Sequence, residues 1–371
     1  MNPSARNYFA ERDYSKPDRL RILREIYNDP DRKPMFRIIS EILYLSYLNK
    51  RFPPSYYTAR FLFKKGADNI RDYCSDELFS KLNMHFNEDG ARDVLENKLF
   101  FSLFYSQFDI PIPRLLGYNH KGMFVIDKEV ITINDAGNFS KFLKQISNKI
   151  PDNDSIFIKK TWGTYGGDRV FKLYKVQITD DPDYINDLFK IVVDSEYVFQ
   201  ERIKQHPLMD SFNSSCVNTI RIDTFIDKDG RAEAMSAYLR TSFNGLHVDN
   251  CSSGGCEIPV NIETGRLKKY GYMEIEDYGA RLPEVHPVTN IRFEDFVIPY
   301  FEEVKRLVCR TALLMPKLRL IGWDVAIGTS GPVLIEGNSF YDIGGSDLSY
   351  GGYYSNPVFK KALEEAGHGR R

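Results

Sequence analysis

The chain has 371 residues, of which 42% are hydrophobic and 14% aromatic, and this composition excludes a largely disordered protein. Its length exceeds that of one ordinary core, so we expect two or three lobes. The 50 Lys and Arg residues nearly balance the 51 Asp and Glu residues, so no global field favours a nucleic-acid partner.

The sequence also favours a location. Residues 1–16 contain neither an apolar core segment nor a small-residue cleavage site, and no run of about 18 apolar residues occurs. We therefore expect a cytoplasmic protein that does not span a membrane. The five cysteines form no CxxC pair, which favours free thiols over disulfides or a structural zinc site.

Residues 1–90 are predicted to be a helical N-terminal region, because apolar residues such as Phe36, Ile39 and Leu43 recur at helical spacing. Its basic and aromatic residues suggest docking on a membrane surface as an alternative hypothesis. We favour a helical cap that packs on the rest of the protein, since Lys and Arg stems commonly cover apolar surface.

Residues 91–200 are predicted to begin with a helix over 91–108 and to continue as an alternating α/β lobe. A strand over residues 155–160 ends in Lys160 and runs into a loop that contains Gly163, Gly166 and Gly167. Such a loop lets backbone N–H groups and an ammonium approach polyphosphate oxygens. Neither GxxxxGK[ST] nor GxGxxG is present, so the loop belongs to neither of those nucleotide-binding motifs.

Strands dominate residues 201–371, where Arg221 and Arg240 lie on consecutive strands among apolar neighbours. Arginine in such a setting needs a carboxylate or a phosphate. The alternative to a phosphate is a structural ion pair, for instance with Asp223 or Glu233. A long helix over residues 293–314 is predicted to precede the last two strands.

Those last strands, residues 319–338, are predicted to form a hairpin with a three-residue turn, Thr329-Ser330-Gly331. With Ser330 at the apex, Asp324 lies directly opposite Glu336, and Asn338 points the same way. Directly opposed residues have Cβ atoms about 5 Å apart, and like charges so placed repel unless a cation lies between them. The oxygen donors suit Mg²⁺. The alternative is an acidic edge strand in solvent, which the apolar alternate positions, Ile321, Trp323, Val325, Ile327, Val333 and Ile335, disfavour.

An ordered series of segments resembles the ATP-grasp superfamily, in particular its sugar-transfer-associated branch, over about residues 91–345. The series runs NKLFFSLFYSQFDIPIPRLLGY, SIFIKKTWGTYGGDRV, YVFQERIKQHP, SSCVNTIRIDTF, SAYLRTS with VDNCSSGG, HPVT, and IGWDVAIGTSGPVLIEGN. The resemblance implies an α+β (ATP-grasp) fold in which two α/β lobes clasp ATP. The predicted domains are the helical region 1–90, a smaller lobe 91–200 with the glycine-containing lid loop, and a larger lobe 201–371 with the metal and acceptor sites.

The resemblance also implies residue roles, in four groups. The ATP contacts are Lys98 and Lys160, the lid glycines Gly163, Gly166 and Gly167, and the adenine and ribose segment Gln200, Glu201 and Ile203. The magnesium ligands are Asp324, Glu336 and Asn338. Arg221, Lys160 and Arg240 are the catalytic residues, and Arg221 faces the transferring phosphate or the acyl phosphate. Arg240, Asn218, Asp249, Asn250, Gly254 and Gly255 border the acceptor.

One of these assignments stays open, because many relatives have Pro after the strand lysine where this chain has Thr161. Either Lys159 or Lys160 then contacts ATP. Ile156 and Ile158 share the strand face of Lys160, so we prefer Lys160 at the mouth of a covered pocket.

The implied function is that of an ATP-dependent carboxylate–amine ligase that forms an amide through an acyl phosphate. It uses ATP and Mg²⁺, with Mn²⁺ as an alternative ion. Its partners are a carboxylate, predicted to be a sugar acid or amino acid in surface-polysaccharide biosynthesis, and an amine. One alternative is a kinase of a sugar or polyol hydroxyl, and another is a non-catalytic, nucleotide-regulated binding module.

Overall fold

The computed structural model describes residues 24, 26–50, 52, 60–65, 69–151, 154–163, 169–242, 255–273 and 282–368. The chain forms two compact units. The smaller unit contains residues 113–202, and the larger contains residues 23–112 and 203–371. Among the described residues, no helix is both long and apolar enough to cross a bilayer.

The larger unit is built on a five-stranded antiparallel sheet in the order β11-β10-β7-β8-β9. Its strands are β7 (Thr219–Ile226), β8 (Ala232–Ser242), β9 (Gly255–Val260), β10 (Leu320–Gly328) and β11 (Gly331–Asn338). Its helices are α1 (Met35–Asn49), α2 (Asp76–Phe86), α3 (Asp89–Glu96), α4 (Lys98–Tyr105), α8 (Pro207–Asp210), α9 (Phe301–Ala312), α10 (Gly344–Tyr350) and α11 (Pro357–Glu365).

One face of this sheet is apolar and forms the main core. Ile220, Ile222, Leu239 and Trp323 are fully buried there, in one cluster with the inward side of α9 and with residues of α3 and α4. On the other face, Arg221, Asp223 and Asp324 are charged, while Phe225 and Leu320 on the same strands belong to a second apolar cluster.

The smaller unit holds a six-stranded antiparallel sheet in the order β3-β2-β1-β6-β4-β5. Its elements are β1 (Leu115–His120), β2 (Met123–Ile126), β3 (Glu129–Thr132), α5 (Ala136–Ser147), β4 (Ser155–Lys160), β5 (Val170–Tyr174), α6 (Gln177–Asp180), α7 (Pro182–Val193) and β6 (Glu196–Glu201). Residues of α5 and α7 pack on one face of the sheet and form its core with Ile156, Ile158, Tyr197 and Phe199.

The helices confirm the predicted N-terminal helical region but correct two predicted lengths. The helix expected over 91–108 is two helices, because Asn97 caps α4 by accepting hydrogen bonds from the N–H groups of Leu99 and Phe100. The helix expected over 293–314 begins only at Phe301. Pro299 precedes that start, and proline is disfavoured inside a helix because it lacks an N–H group.

The compact units are not cut where the sequence analysis placed domain boundaries. Residues 91–112 group with the larger unit, since Leu95, Phe101 and Tyr105 are buried in its core. The described part of the N-terminal helical region groups with the same unit. As functional domains, the three ranges stay a prediction.

Candidate functional site

The hairpin of β10 and β11 places Asp324 directly opposite Glu336, as predicted, and Asn338 opposite Gly322. The route to this register differs from the prediction. Gly328 pairs with Gly331, so the turn contains two residues instead of three. The one-residue difference is compensated by a β-bulge at Ile335, which restores the opposition of the two carboxylates.

The shorter turn changes which side chains of β11 enter the core. Val325 pairs with Leu334, and Leu334 is fully buried in the apolar cluster. Val333, predicted to share the packed face, is only half-buried. The bulge therefore lets Leu334 face the core while Glu336, two residues later, still faces the same side of the sheet as Asp324.

Asp324 is held by two buried arginines. Arg221 lies opposite it on β7 and donates to Oδ1 from Nε at 2.5 Å and to Oδ2 from Nη2 at 3.2 Å. Arg240 on β8 donates to Oδ1 from Nη2 at 2.9 Å and to Oδ2 from Nη1 at 3.3 Å. Both arginines thus form a buried ion pair, which was the alternative from sequence, although the acid is Asp324 where Asp223 and Glu233 were given as examples.

This arrangement keeps the carboxylate ionised. Burial alone would raise the pKa of Asp324, but the charges of Arg221 and Arg240 outweigh it and hold that pKa well below its usual range. Burial alone would lower the pKa of Arg221, but the charge of Asp324 outweighs this effect and raises that pKa. Four guanidinium hydrogen bonds also fill about all the lone-pair sites of one carboxylate.

Glu336 is the more accessible of the two acids and has its own cation. Lys98, the first residue of α4, places its Nζ 3.5 Å from Glu336 Oε2. Lys98, predicted from resemblance to contact ATP, therefore belongs to the same cluster as the acidic pair. The Asn338 side chain lies against β10, with Nδ2 3.4 Å from the Gly322 carbonyl oxygen.

Two further acids support this polar face, the half-buried Glu96 and the buried Asp223. The sequence analysis did not name Glu96, and it named Asp223 only as an alternative partner for arginine. Glu96 accepts hydrogen bonds from the backbone N–H of Ser339 at 2.8 Å and its hydroxyl at 2.7 Å, which fixes the chain just after Asn338. Asp223 accepts one from the Tyr353 hydroxyl at 2.6 Å. These partners are separated by more than 100 positions, so no local sequence signal indicates them.

Asp223 is buried on β7, two residues after Arg221, and its pKa shifts in the opposite direction to that of Asp324. Burial raises the pKa of Asp223, and the nearby hydroxyls of Ser346 and Tyr353 and the charge of Arg221 only partly oppose this rise. The ring of Tyr341 covers the Arg221 guanidinium at 5.8 Å from its centroid. Arg221 is therefore positioned from several sides.

The predicted acceptor residues fare unequally. The Asn218 side chain donates to three oxygens and accepts from Thr241 at 2.7 Å, so it braces the segment after α8 and is not available to a substrate. Gly255 begins β9 opposite Ser242. Asp249, Asn250 and Gly254 lie outside the described residues.

In the smaller unit the predicted nucleotide residues lie on β4 and β6. Gln200 is opposite Phe157, while Lys160 is opposite Tyr197, a core residue. Strand alternation then places Lys159 on the Gln200 side of the sheet and Lys160 on the core side. The two lysines therefore lie on opposite sides of the sheet, and the choice between them as the ATP contact stays a prediction.

The remaining predicted nucleotide residues are less informative. Glu201 pairs with Arg114, whose Nε is 3.1 Å from Glu201 Oε2. Gly163 has a φ of +69°, a conformation that glycine adopts without strain. Ile203 follows the smaller unit and belongs to the larger one. Gly166 and Gly167 lie outside the described residues.

The polar face has the chemistry of a site for anionic groups and a hard cation. It combines carboxylate and amide oxygens with two guanidinium groups and an ammonium group, on a rigid sheet whose other face is a core. The smaller antiparallel α/β unit carries lysines at the end of β4 and a glycine-containing loop after it, as the resemblance to the ATP-grasp superfamily implies.

Comparison with known proteins gives the family. The sequence model of the sugar-transfer associated ATP-grasp family matches residues 77–356, and the chain belongs to this family. No match was found among curated proteins.

Among solved structures, similar folds include D-alanyl-alanine synthetase A from Vibrio cholerae O1 biovar eltor, at 18% identity and a TM-score of 0.39, covering 75% of this chain and 62% of that one. D-cycloserine synthetase matches at 12% identity and a TM-score of 0.42, and the match covers 73% of this chain and 70% of that one. N5-carboxyaminoimidazole ribonucleotide synthetase from Thermotoga maritima matches at 10% identity and a TM-score of 0.34, and the match covers 67% of this chain and 42% of that one. The chain thus spans less than two thirds of the length of the first and third of these proteins.

Proposed function

We propose that this protein is an ATP-dependent carboxylate–amine ligase that uses Mg²⁺ and forms an amide through an acyl phosphate. One observation carries the proposal. Asp324 and Glu336 face each other across β10 and β11, and Arg221, Arg240 and Lys98 surround them. Alternating acids and cations on one rigid face match a divalent ion that holds phosphate groups.

The donor set fits Mg²⁺ in kind, since Asp324, Glu336 and Asn338 offer oxygen atoms on adjacent strands. For Asp324 to serve as a ligand, at least one guanidinium must leave its carboxylate, because four N–H groups now occupy it. We propose that Arg221 and Arg240 then turn to phosphate oxygens. When bound, the ion would neutralise phosphate charge and orient the triphosphate.

The reaction needs no nucleophilic side chain. A substrate carboxylate oxygen attacks the γ-phosphorus, the bond to the bridging oxygen breaks, and ADP leaves. The amine nitrogen then attacks the acyl carbon, inorganic phosphate leaves with the former carboxylate oxygen, and the nitrogen loses a proton. Arg221, Arg240 and Lys98 would offset the negative charge on the transferring phosphoryl group.

The smaller unit supplies the proposed nucleotide contacts. Lys159 is now our choice for the strand lysine because it shares a sheet side with Gln200. The adenine and ribose contacts of Gln200, Glu201 and Ile203, and the lid role of the glycine loop, rest on family resemblance. Closure of that loop would keep water from hydrolysing the acyl phosphate.

The acid is proposed to be a sugar acid or an amino acid, and the polysaccharide role rests on the description of the family. A cytoplasmic location and the use of Mn²⁺ in place of Mg²⁺ stay predictions from sequence.

The test is an ATP-dependent screen of carboxylates with hydroxylamine as a general amine. A ligase yields a hydroxamate together with ADP and phosphate, and only when acid and amine are both present. Glu336→Gln should abolish the product while the fold is retained, and Glu263→Gln, at a turn remote from the polar face, is the matched control. Phosphate left on a hydroxyl of the acceptor, detected by ³¹P NMR, would instead identify a kinase.

A further inference from the structure

Helix α1 is apolar on both of its sides, although only one side is covered. Ile38 and Leu45 are buried and form a small cluster with Phe61, Ile70 and Tyr73. This inner side behaves as the helical cap predicted from sequence. An ordinary surface helix would carry polar residues on its other side.

The other side of α1 is instead a stripe of exposed large apolar residues. We call it the α1 outer face, and it consists of Met35, Phe36, Ile39, Leu43, Tyr47 and Leu48. Phe36 is 77% exposed, Leu43 60% and Tyr47 82%. Contiguous apolar surface of this kind marks an interaction site, since isolated exposed residues would not line up along one helix.

The charged residues that border the α1 outer face itself are basic, while two acids, Asp29 and Asp31, lie in the loop before the helix. The helix has a single acid, Glu41, whose side chain is only 12% exposed and pairs with Lys33 at 2.8 Å and Arg37 at 2.9 Å. Arg37 and Lys50 border the outer face and are exposed. Lys64 and Lys65 are exposed as well, and Lys64 reaches the Pro30 carbonyl oxygen in the loop before the helix.

These charges select among the surfaces that would cover the stripe. In an antiparallel pairing of α1 with a second copy about Leu43, Arg37 of one chain would approach Lys50 of the other, and the outer face offers no acid to separate them. An anionic lipid surface offers the opposite charge to the basic border and an apolar interior to Phe36 and Leu43.

We propose that the α1 outer face docks this protein on an anionic lipid surface, with the helix axis in the plane of the membrane. At 15 residues, α1 is shorter than the roughly 20 needed to span a bilayer. Tyr47 and Phe36 are the types of aromatic residue that settle at the interface. This surface is independent of the proposed ligase chemistry.

The experiment is vesicle flotation of the full chain with phosphatidylcholine vesicles, with and without phosphatidylglycerol. We expect wild-type protein to float only with the anionic vesicles, and less at high salt. The triple variant Phe36→Ser, Leu43→Ser, Tyr47→Ser should partition roughly 100-fold less, on the order of fivefold for each apolar side chain removed.

Two further variants sharpen the result. Lys50→Glu with Lys65→Glu should weaken partitioning by at least about tenfold, since each basic residue near the surface contributes. Met123→Ser, Val130→Ser, Val176→Ser removes three apolar side chains of the smaller unit that are 50–67% exposed, and it should leave partitioning unchanged. Circular dichroism and thermal unfolding confirm that each variant is folded.

Three outcomes would overturn the proposal. The first is no flotation of wild-type protein, and the second is equal flotation with neutral and anionic vesicles. The third is a dimer in sedimentation equilibrium that the triple serine variant dissociates, without vesicle binding, which would make a second copy the occupant of the α1 outer face.

Discussion

The two sheets of this protein differ in where their charged residues lie and in how deeply these residues are buried. In the smaller unit the lysines Lys159 and Lys160 lie at the end of β4, where they are half-buried. In the larger unit every residue of β7 and β10 is buried, yet these strands carry Arg221, Asp223 and Asp324. Charges at a strand end need little support, whereas charges within a buried strand require partners for each hydrogen-bonding group.

The difference indicates where function constrains the fold. Replacing a buried ion pair by apolar residues of similar volume is often neutral or stabilising, so the pair is weak evidence for stability alone. The cluster of Arg221, Arg240 and Asp324 occupies the centre of the polar face, where the proposed phosphate and metal chemistry takes place. We therefore interpret it as a preorganised site, in which the ion pairs with Asp324 hold Arg221 and Arg240 in position.

The largest effect is expected from Asp324→Asn. This change leaves Arg221 and Arg240 buried beside a neutral amide, and breaking such a buried pair costs about 3–5 kcal/mol of unfolding free energy. Urea unfolding measures the loss. Glu201→Gln, which breaks the exposed pair with Arg114 in the smaller unit, is the control and should cost less than about 1 kcal/mol. Equal losses in both variants would contradict the distinction between the two sheets.

The strand lysines give the next largest effect. Lys159→Ala should weaken ADP binding by about 10–100-fold, the value of one charge-assisted hydrogen bond, while Lys160→Ala should change it by less than about threefold. Isothermal titration calorimetry compares the two variants directly. The reverse order would show that strand alternation in β4 does not identify the nucleotide side of the sheet.

The support beneath Arg221 is tested by Tyr353→Phe. Loss of the hydroxyl that donates to Asp223 at 2.6 Å leaves a buried carboxylate short of a partner, at a cost of about 1–3 kcal/mol in urea unfolding. Tyr47→Phe, at an 82% exposed tyrosine, is the matched control and should be neutral. An unchanged midpoint in Tyr353→Phe would mean that Asp223 is protonated or otherwise satisfied.

The smallest effect is a pH dependence. The pKa of Asp324 is lower in the folded protein than its ordinary value of 3.8, so its stabilisation is present above that value and is lost as pH falls towards the folded pKa. The stability difference between wild type and Asp324→Asn should thus be constant near neutral pH and begin to shrink below about pH 4. Urea unfolding across this range measures it, and a difference that grows on acidification would contradict the sign.

Much of the fold follows from local sequence patterns. The strand at residues 155–160, for instance, was predicted with the bounds that the structure has. The hairpin pairing of Asp324 with Glu336 was also predicted correctly, although two errors in its derivation cancelled. The turn is one residue shorter than expected, and the bulge at Ile335 restores the register.

What the sequence did not predict depends on contacts between distant residues. The partners of Arg221 and Arg240 lie 103 and 84 positions away, so the sequence indicated that a partner was needed but not which one. Asn218 was assigned to the acceptor from resemblance, and only tertiary contacts reveal that its side chain is fully occupied. Lys159 became distinguishable from Lys160 once the pairing of β4 with β6 showed which side faces the core.

The central claim is that the Asp324 and Glu336 face binds a divalent ion together with a nucleotide. Its most direct test is calorimetric titration of ADP with and without Mg²⁺, for wild type and for Glu336→Gln, whose side chain is accessible enough for the fold to persist. We expect Mg²⁺ to tighten ADP binding at least about tenfold in wild type and to have little effect in the variant. An identical Mg²⁺ effect in both proteins would contradict it.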